Sequence, residues 1–272
     1  MREPFAKFFA DRGTHLAAMI AYFALLSFIP LVFLTLALLG LANRADASDF
    51  FVRELNNAFP SSSVNTILNL VRAIQDNAAT LGIVGGVFLL WSSLSLFSAL
   101  ESALNIVYGR PNRGFLHGKA IASLMMVGSL TTLFAALVVG ALGAEVLRDY
   151  APGVLTSYSA AYAVSIGASL LGIFAFLAII YSRLTNDHVT MHEALPGAVV
   201  AAIALEASFQ GLPFFVKYAS VNVTLRAFGG PVLLLIWLYV MANVIVFGAE
   251  LNWWLANRTH AKAEAEEIPG LA

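Results

Sequence analysis

The stretch at residues 80–111 constrains the fold most, because it is an apolar segment of membrane-crossing length that carries a carboxylate. About 20 mainly apolar residues cross a bilayer as one helix at roughly 1.5 Å per residue. Glu101 lies well inside this stretch, where a charge is costly unless it faces other helices or water. Helical spacing places a mostly polar stripe along one side: Trp91, Leu94, Ser98, Glu101, Asn105 and Tyr108. We therefore expect this stripe to face the protein interior.

The composition indicates that the chain is an integral membrane protein. Of its 272 residues, 60% are hydrophobic and 11% are charged, against about 25% charged in soluble domains. The net charge of -1 disfavours a nucleic-acid binder, which needs many Lys and Arg contacts to phosphates. The chain has no cysteine, which excludes disulfides and Cys-ligated metals. Residues 1–15 are charged and aromatic, so we expect an interfacial anchor helix and no removable signal peptide.

Hydropathy predicts an all-α, polytopic membrane protein with six transmembrane helices in a single domain, residues 1–257. The spans are expected at about residues 16–42, 80–111, 119–147, 158–182, 194–218 and 230–257. The charged cytoplasmic tail, residues 258–272, is expected to fray. Pro30 lies near the middle of the first span, where it indicates either a packing kink or a hinge.

Residues 43–79 form the longest polar segment, and their pattern predicts two amphipathic helices over the outer mouth of the bundle or on the membrane surface. Asp49 is expected to cap the first helix, and Ser61 or Ser62 the second. Either position lets these helices cover an entrance, although a purely structural cap is the simpler interpretation. Before the fifth span, Thr190 and Glu193 fit a capping box.

The distribution of basic residues predicts cytoplasmic N- and C-termini. An even number of spans puts both termini on one side, which then carries Arg2, Lys7, Arg12, Arg110, Arg113, Lys119, Arg183, Arg258 and Lys262. The other side carries Arg44, Arg53, Arg72, Arg148, Lys217 and Arg226, several of them in the long loop, which counts less. We therefore expect a multi-pass protein of the bacterial inner membrane with both termini inside.

Three carboxylates fall within the expected spans and point to a polar interior. Intramembrane carboxylates cost about 2.5 to 3.5 kcal/mol each on insertion scales, so they are usually paired and often functional. Together with nearby amides they form the candidate substrate-binding set: Glu101, Asn105, Glu206, Gln210, Asn243 and Glu250. The alternative is structural, since each glutamate can be hydrogen-bonded by a neighbouring group and simply lock two helices together.

Motifs for enzymatic chemistry are missing from the sequence. His188 and His192 are four residues apart, but no HExxH motif or nearby third ligand accompanies them. There is no GxSxG elbow and no GxxxxGK phosphate loop. We expect no enzymatic activity, no metal and no cofactor.

Four stretches carry a resemblance to a known family: AYFALLSFIPLVFLTLALLG, ALESALNIVYG, ALPGAVVAAIALEASFQ and LLLIWLYVMANVIVFGAELN. In the same order and spacing, they resemble the YihY/BrkB family of bacterial inner-membrane proteins, once labelled ribonuclease BN. The resemblance implies a six-helix inner-membrane protein, and relatives have been connected to lipid or glycolipid export. The dispersed intramembrane acids disfavour ribonuclease activity, which needs clustered metal ligands in reach of a cationic groove.

The leading hypothesis is a transporter or flippase-like protein that handles a lipid or other amphipathic solute through a polar intramembrane cavity. Its expected partners are membrane lipids and no nucleic acid. Two alternatives stay open: a proton- or ion-coupled transporter of small solutes, and a non-transporting membrane scaffold. Small residues in the second span suit packing within one bundle or between copies of a homo-oligomer.

Overall fold

Helices account for all the regular structure of the residues that this computed structural model describes, namely 2–41, 45–58, 64–69, 78–150, 158–186, 189–221 and 223–267. In chain order they are α1 (Arg2–Ala10), α2 (Gly13–Leu41), α3 (Ala45–Ala58), α4 (Ala78–Val107), α5 (Phe115–Tyr150), α6 (Tyr158–Ile179), α7 (Met191–Val221) and α8 (Val223–Glu267). A π-helical turn, Ile180–Leu184, continues α6, and residues 64–69 are also helical. The fold is all-α, as the hydropathy pattern predicts.

Five of the described helices contain segments long and apolar enough to cross a membrane. These segments are Gly13–Phe33, Leu90–Val107, Ile166–Leu184, Met191–Leu212 and Pro231–Arg258. They match the first, second, fourth, fifth and sixth expected spans. The third expected span falls in α5, whose side chains at residues 133–150 lie outside the description. The chain has the helices of an integral membrane protein, and the count of six spans stays a prediction.

The last helix, α8, lies at the centre of the packing. It contacts α7, α2, α1 and α4, while α2 also packs on α4, α6 on α7, and α5 on α4. Large apolar side chains on the outer helices are exposed, as a lipid-facing surface requires: Leu124, Val127, Leu171, Phe176, Val199 and Ile203.

Pro30 lies inside α2 without ending it, because a neighbouring helix replaces the hydrogen bond that the proline removes. A proline has no N–H to donate to the carbonyl four residues earlier, here that of Leu26. Ser92 of α4 donates its hydroxyl to the Leu26 oxygen at 2.9 Å, and Ser27 donates to the Ser92 carbonyl at 2.5 Å. Serine side chains commonly satisfy such freed carbonyls in membrane helices. This contact favours packing over a hinge at Pro30.

Helices α7 and α8 lie close together at two glycines. A Cβ on Gly248 would lie 2.5 Å from the hydroxyl of the buried Tyr181, and one on Gly197 would overlap the Gly248 carbonyl oxygen. Asn252 completes the contact, because its Oδ1 accepts from the Gly197 N–H at 2.6 Å and its Nδ2 donates to the Ala194 carbonyl at 3.1 Å. Small residues that bring backbones together, with an amide between them, are typical of membrane helix pairs.

Local capping sequences set two helix ends near the polar loops. The Thr190 hydroxyl accepts from the Glu193 N–H at 3.3 Å and the Thr190 N–H donates to the Glu193 carboxylate at 2.8 Å, so the predicted capping box is confirmed. At the end of α4, Gly109 has a φ of 63° and donates to the Ile106 carbonyl, while Arg110 N–H reaches the Asn105 carbonyl at 2.7 Å. This pair of bonds is a Schellman motif, and it turns the chain into the hairpin before α5.

Two expectations about helix ends are wrong. Asp49 does not cap α3, because the helix begins four residues earlier, at Ala45, and Asp49 lies within it. The tail does not fray directly after residue 257, because α8 continues to Glu267. The expected caps Ser61 and Ser62 lie outside the described residues.

Candidate functional site

The Glu101 carboxylate is paired with a cation from the hairpin that follows its own helix. Arg113 Nη1 donates to Glu101 Oε1 at 3.0 Å, and both side chains are nearly buried, with 11% of Arg113 and 6% of Glu101 exposed. The same guanidinium donates to the carbonyls of Leu184 at 2.5 Å and Thr185 at 2.7 Å. These carbonyls lie at the end of the π-helical turn, where no later N–H of the helix can donate to them. The planar fork of Arg113 thus joins α4, the hairpin and the end of α6.

Asn105 belongs to a second set of bonds at the same end of α4. Its Oδ1 accepts from the backbone N–H of Asn186 at 2.7 Å, and its Nδ2 donates to Asn112 Oδ1 at 3.1 Å. Asn112 in turn donates to the Ser102 hydroxyl at 3.2 Å, and Asn186 Nδ2 reaches the Pro111 carbonyl at 2.9 Å. The fully buried Asn105 therefore holds the hairpin against the segment that follows α6.

A cavity of about 140 Å³ lies between α4, the hairpin and the first turn of α5. Its lining combines charged, hydroxyl and amide side chains with one aromatic ring: Ser98, Glu101, Ser102, Asn112, Arg113, Phe115, Gly118 and Lys119. Lys119 donates to the Ser98 hydroxyl at 3.0 Å. The cavity thus contains the Glu101–Arg113 ion pair and a further ammonium group.

Glu206 is held between α6 and α7 by neutral donors. Ser169 of α6 donates to its Oε2 at 2.6 Å, and Gln210, one turn later on α7, donates to its Oε1 at 2.8 Å. The glutamate is 7% exposed. Both oxygens therefore have hydrogen-bond partners, and the contact joins two membrane-crossing helices.

Glu250 is completely buried on α8 and pairs with a lysine of α1. Lys7 Nζ donates to Glu250 Oε2 at 2.9 Å, to the Val107 carbonyl at 2.8 Å, and to the carboxylate of Asp11. The ammonium also lies 4.2 Å from the centre of the Trp253 ring, within cation–π range. Glu250 Oε1 has no hydrogen-bond partner among the described residues.

Asn243 bonds within its own helix. Its Nδ2 donates to the Tyr239 carbonyl one turn earlier at 2.7 Å. The buried α8 amide that reaches a neighbouring helix is instead Asn252, which the seven-residue spacing of Asn243, Glu250 and Asn257 does not single out. Nothing in the local pattern distinguishes Asn252, because its partners are backbone groups of α7.

The candidate set therefore divides into separate clusters. Glu101 and Asn105 lie at the cytoplasmic-end hairpin expected from the charge pattern, Glu206 and Gln210 bond each other, and Glu250 belongs to the α1 contact. Each of the three carboxylates has its own partners. Among the described residues, no group of three His, Cys, Asp or Glu side chains is arranged to hold a metal ion.

Sequence reasoning did not include Lys119 and Asn112 in the candidate set, although both line the cavity with Glu101. The spacing of Ser98, Glu101, Ser102 and Asn105 already marks one polar face of α4. Only the fold shows that the hairpin brings Asn112 and Arg113, and α5 brings Lys119, to that face.

Comparison with known proteins gives the family. The family model described as "Virulence factor BrkB" matches residues 5–269, nearly the whole chain. The chain belongs to the BrkB family. This agrees with the resemblance carried by the four apolar stretches.

Some relatives of this chain are named as membrane proteins, and one is named as a ribonuclease-like protein. The "Putative ribonuclease-like protein YfkH" of Bacillus subtilis is 25% identical over 267 residues, which cover 95% of each chain. A "UPF0761 membrane protein" of Chromohalobacter salexigens is 26% identical over 96% of this chain but 64% of its own length. One of Vibrio campbellii is 24% identical, over 96% of this chain and 83% of that one. No solved structure matches the chain significantly.

Proposed function

We propose that this BrkB family chain is a transporter or flippase-like protein of the bacterial inner membrane, with cytoplasmic termini, that handles a lipid or another amphipathic solute. The observation that carries the proposal is the cavity between α4 and α5, which is lined by the charged residues Glu101, Arg113 and Lys119 at the end of apolar helices. A membrane protein has little reason to keep three charged side chains around an open volume unless something polar enters it. The protein acts without enzymatic chemistry in this proposal.

The surroundings of the cavity suit an amphipathic ligand. Phe115, which lines the cavity, is 77% exposed, and its neighbour Leu116 is 82% exposed. Exposed apolar side chains beside a polar pocket allow the tails of a lipid to stay in the bilayer while its headgroup enters the cavity. A soluble polar solute would gain nothing from these two side chains.

Within this proposal the six candidate residues have unequal support. Glu101 lines the cavity and Asn105 holds the hairpin that closes it. The substrate-binding roles of Glu206, Gln210, Asn243 and Glu250 stay predictions, since their hydrogen bonds are those of helix packing. The proposal therefore depends on the α4–α5 cavity.

The test is lipid translocation in proteoliposomes. Purified protein is reconstituted with a phospholipid that carries a fluorescent tail, and the rate at which the lipid reaches the outer leaflet is measured by chemical quenching. We expect translocation above protein-free vesicles, and a rate about tenfold or more lower in Glu101→Gln, because Arg113 loses a charged partner. The matched control is Asp49→Asn, which removes an exposed carboxylate from α3.

Two outcomes of this assay contradict the proposal. One is translocation no faster than in protein-free vesicles for well-folded protein, and the other is an equal rate in wild type and Glu101→Gln. Translocation that requires an imposed pH gradient would instead favour the ion-coupled alternative.

A membrane scaffold is the second candidate, and one observation favours it. The three intramembrane carboxylates are held by separate partners, as expected if each locks a pair of helices. Cross-linking in membranes tests it: one stoichiometric partner protein, recovered together with an absence of lipid movement, supports the scaffold.

A further inference from the structure

The charges of the α4–α5 cavity do not cancel. Arg113 and Glu101 form an ion pair that is neutral overall. Lys119 lines the same cavity and is partly buried, and no carboxylate of the described residues forms an ion pair with it. An ammonium in a partly closed site is costly without an opposite charge nearby. The cavity therefore has one positive charge in excess, which an anionic ligand would balance.

Several donors that line this cavity have N–H or O–H groups for which the described residues record no acceptor. Lys119 uses one of its three N–H groups on Ser98, and Asn112 uses one of its two on Ser102. The Ser102 hydroxyl accepts the Asn112 bond and keeps its own proton to donate. A ligand with several acceptor oxygens and a negative charge matches this set, and a phosphate group has both properties.

The position of Lys119 also suits an anion. It lies in the second turn of α5, whose first turn has no acidic residue. The first backbone N–H groups of any α-helix have no acceptor within the helix. The N-terminus of a helix favours negative charge, so it adds to the attraction of the ammonium. Here this contribution is secondary to the cavity and its excess charge.

We propose that the cavity binds a negatively charged phosphate group, with Lys119 as its principal cationic partner and Ser102 and Asn112 as neutral donors. The inference rests on the proposed lipid-handling function and names the ligand chemistry of the same site. The phosphate belongs either to the headgroup of an anionic lipid or to free inorganic phosphate. The exposed Phe115 and Leu116 at the cavity favour the lipid, because its tails can lie against them.

The experiment compares lipid retention and phosphate binding between wild type and three variants of the full chain. Native mass spectrometry counts phosphatidylglycerol and phosphatidylcholine molecules retained by detergent-purified protein, and thermal unfolding compares inorganic phosphate with chloride at equal ionic strength. Two variants are Lys119→Gln, which removes the charge but keeps an amide donor, and Arg53→Gln, which removes an exposed charge from α3. The third, Lys119→Arg, restores the charge and shows whether loss of binding reflects charge or misfolding.

We expect wild type and Arg53→Gln to retain phosphatidylglycerol in preference to phosphatidylcholine. In Lys119→Gln we expect that preference to fall about tenfold or more, and in Lys119→Arg to return at least in part. Preference for phosphatidylglycerol without stabilisation by inorganic phosphate identifies a lipid headgroup. Stabilisation by inorganic phosphate that depends on Lys119 identifies a site for the free anion, and it supports the phosphate proposal as well.

The proposal is overturned if neither ligand binds, if Lys119→Gln binds like wild type, or if Arg53→Gln has an equal effect, which would indicate general surface charge. Failure of this inference can be told from failure of the proposed function. Phosphate binding that depends on Lys119 without lipid translocation overturns transport and leaves the site. Translocation without such binding overturns the site and leaves transport.

Discussion

Lys7 and Glu250 form an ion pair across 243 positions of sequence, with 2.9 Å between Nζ and Oε2. It holds α1 against the buried face of α8, where the glutamate has no exposure to solvent. The same ammonium reaches the Val107 carbonyl at the end of α4. One side chain thus joins the first helix of the chain to α8 and to the end of α4, after which the hairpin begins.

Replacing Lys7 by Met should destabilise the protein strongly, because it leaves Glu250 buried without a partner for either oxygen. Removing one member of a buried pair typically costs about 3 to 5 kcal/mol. Thermal unfolding in detergent measures the loss, and Lys7→Met combined with Glu250→Gln should recover part of it. Glu3→Gln is the matched control, because Glu3 makes an exposed contact between the same helices, to Trp254 at 2.7 Å. A cost of Lys7→Met no larger than that of Glu3→Gln contradicts this account.

Ser92→Ala should cost about 1 to 3 kcal/mol, because the Leu26 carbonyl freed by Pro30 loses its donor. In the Ser92→Ala protein, a further Pro30→Ala change should restore stability, since alanine at that position supplies the missing N–H. Ser95→Ala is the control, because Ser95 bonds the Trp91 carbonyl of its own helix, which already accepts a backbone N–H. Thermal unfolding of the single and double variants forms a mutant cycle. Additive effects of Ser92→Ala and Pro30→Ala would show that the two residues are not coupled.

Gly248→Ala should separate α7 from α8. The added Cβ would lie 2.5 Å from Tyr181 Oη and 2.9 Å from Ala201 Cβ, and both neighbours are buried. Overpacking of this kind costs about 1 to 3 kcal/mol. Gly211→Ala, on α7, should be neutral or stabilising by up to about 1 kcal/mol, because no atom lies within 4 Å of its added Cβ. The close approach of the two helices is contradicted if Gly248→Ala and Gly211→Ala shift the unfolding temperature equally and in the same direction.

Arg113→Lys should weaken the hairpin although it keeps the charge. A lysine cannot reproduce the planar fork that bonds Glu101, Leu184 and Thr185 at once. We expect faster hydrogen exchange or proteolysis at residues 108–114 and 184–186, with little change in α2. The control is Arg12→Lys, an exposed change in the turn between α1 and α2. Equal protection of the hairpin in wild type and Arg113→Lys contradicts a positioning role for the guanidinium.

The helices could be predicted from the sequence because their signals are local. The length of the apolar segments predicts the five described spans. The capping box of Thr190 and Glu193 lies within four consecutive residues. The expected start of α3 and the expected end of α8 were wrong, and the reasons for these errors are also local. Asp46 places a carboxylate in the first turn of α3, which favours an earlier start, and an alanine-rich charged tail has enough helix propensity to continue α8.

The partners of Glu101 and Glu250 could not be predicted, because one follows a reversal of the chain and the other comes from a distant helix. Arg113 returns to Glu101 only through the Schellman turn at Gly109, and Lys7 reaches Glu250 from the other end of the sequence. The free-energy cost of a charge within the membrane correctly predicts that buried carboxylates are paired, but it does not identify their partners. The cavity was therefore hidden from the sequence, while its carboxylate Glu101 was not.

The most direct test of the central claim is a density map of the protein in nanodiscs of phosphatidylglycerol. We expect headgroup density inside the cavity between α4 and α5, within hydrogen-bond distance of Lys119 Nζ, with tail density along Phe115 and Leu116. The same map of Lys119→Gln should lack that density. A wild-type cavity without lipid density, beside well-ordered lipid elsewhere on the protein, would contradict the lipid-handling site and favour the scaffold.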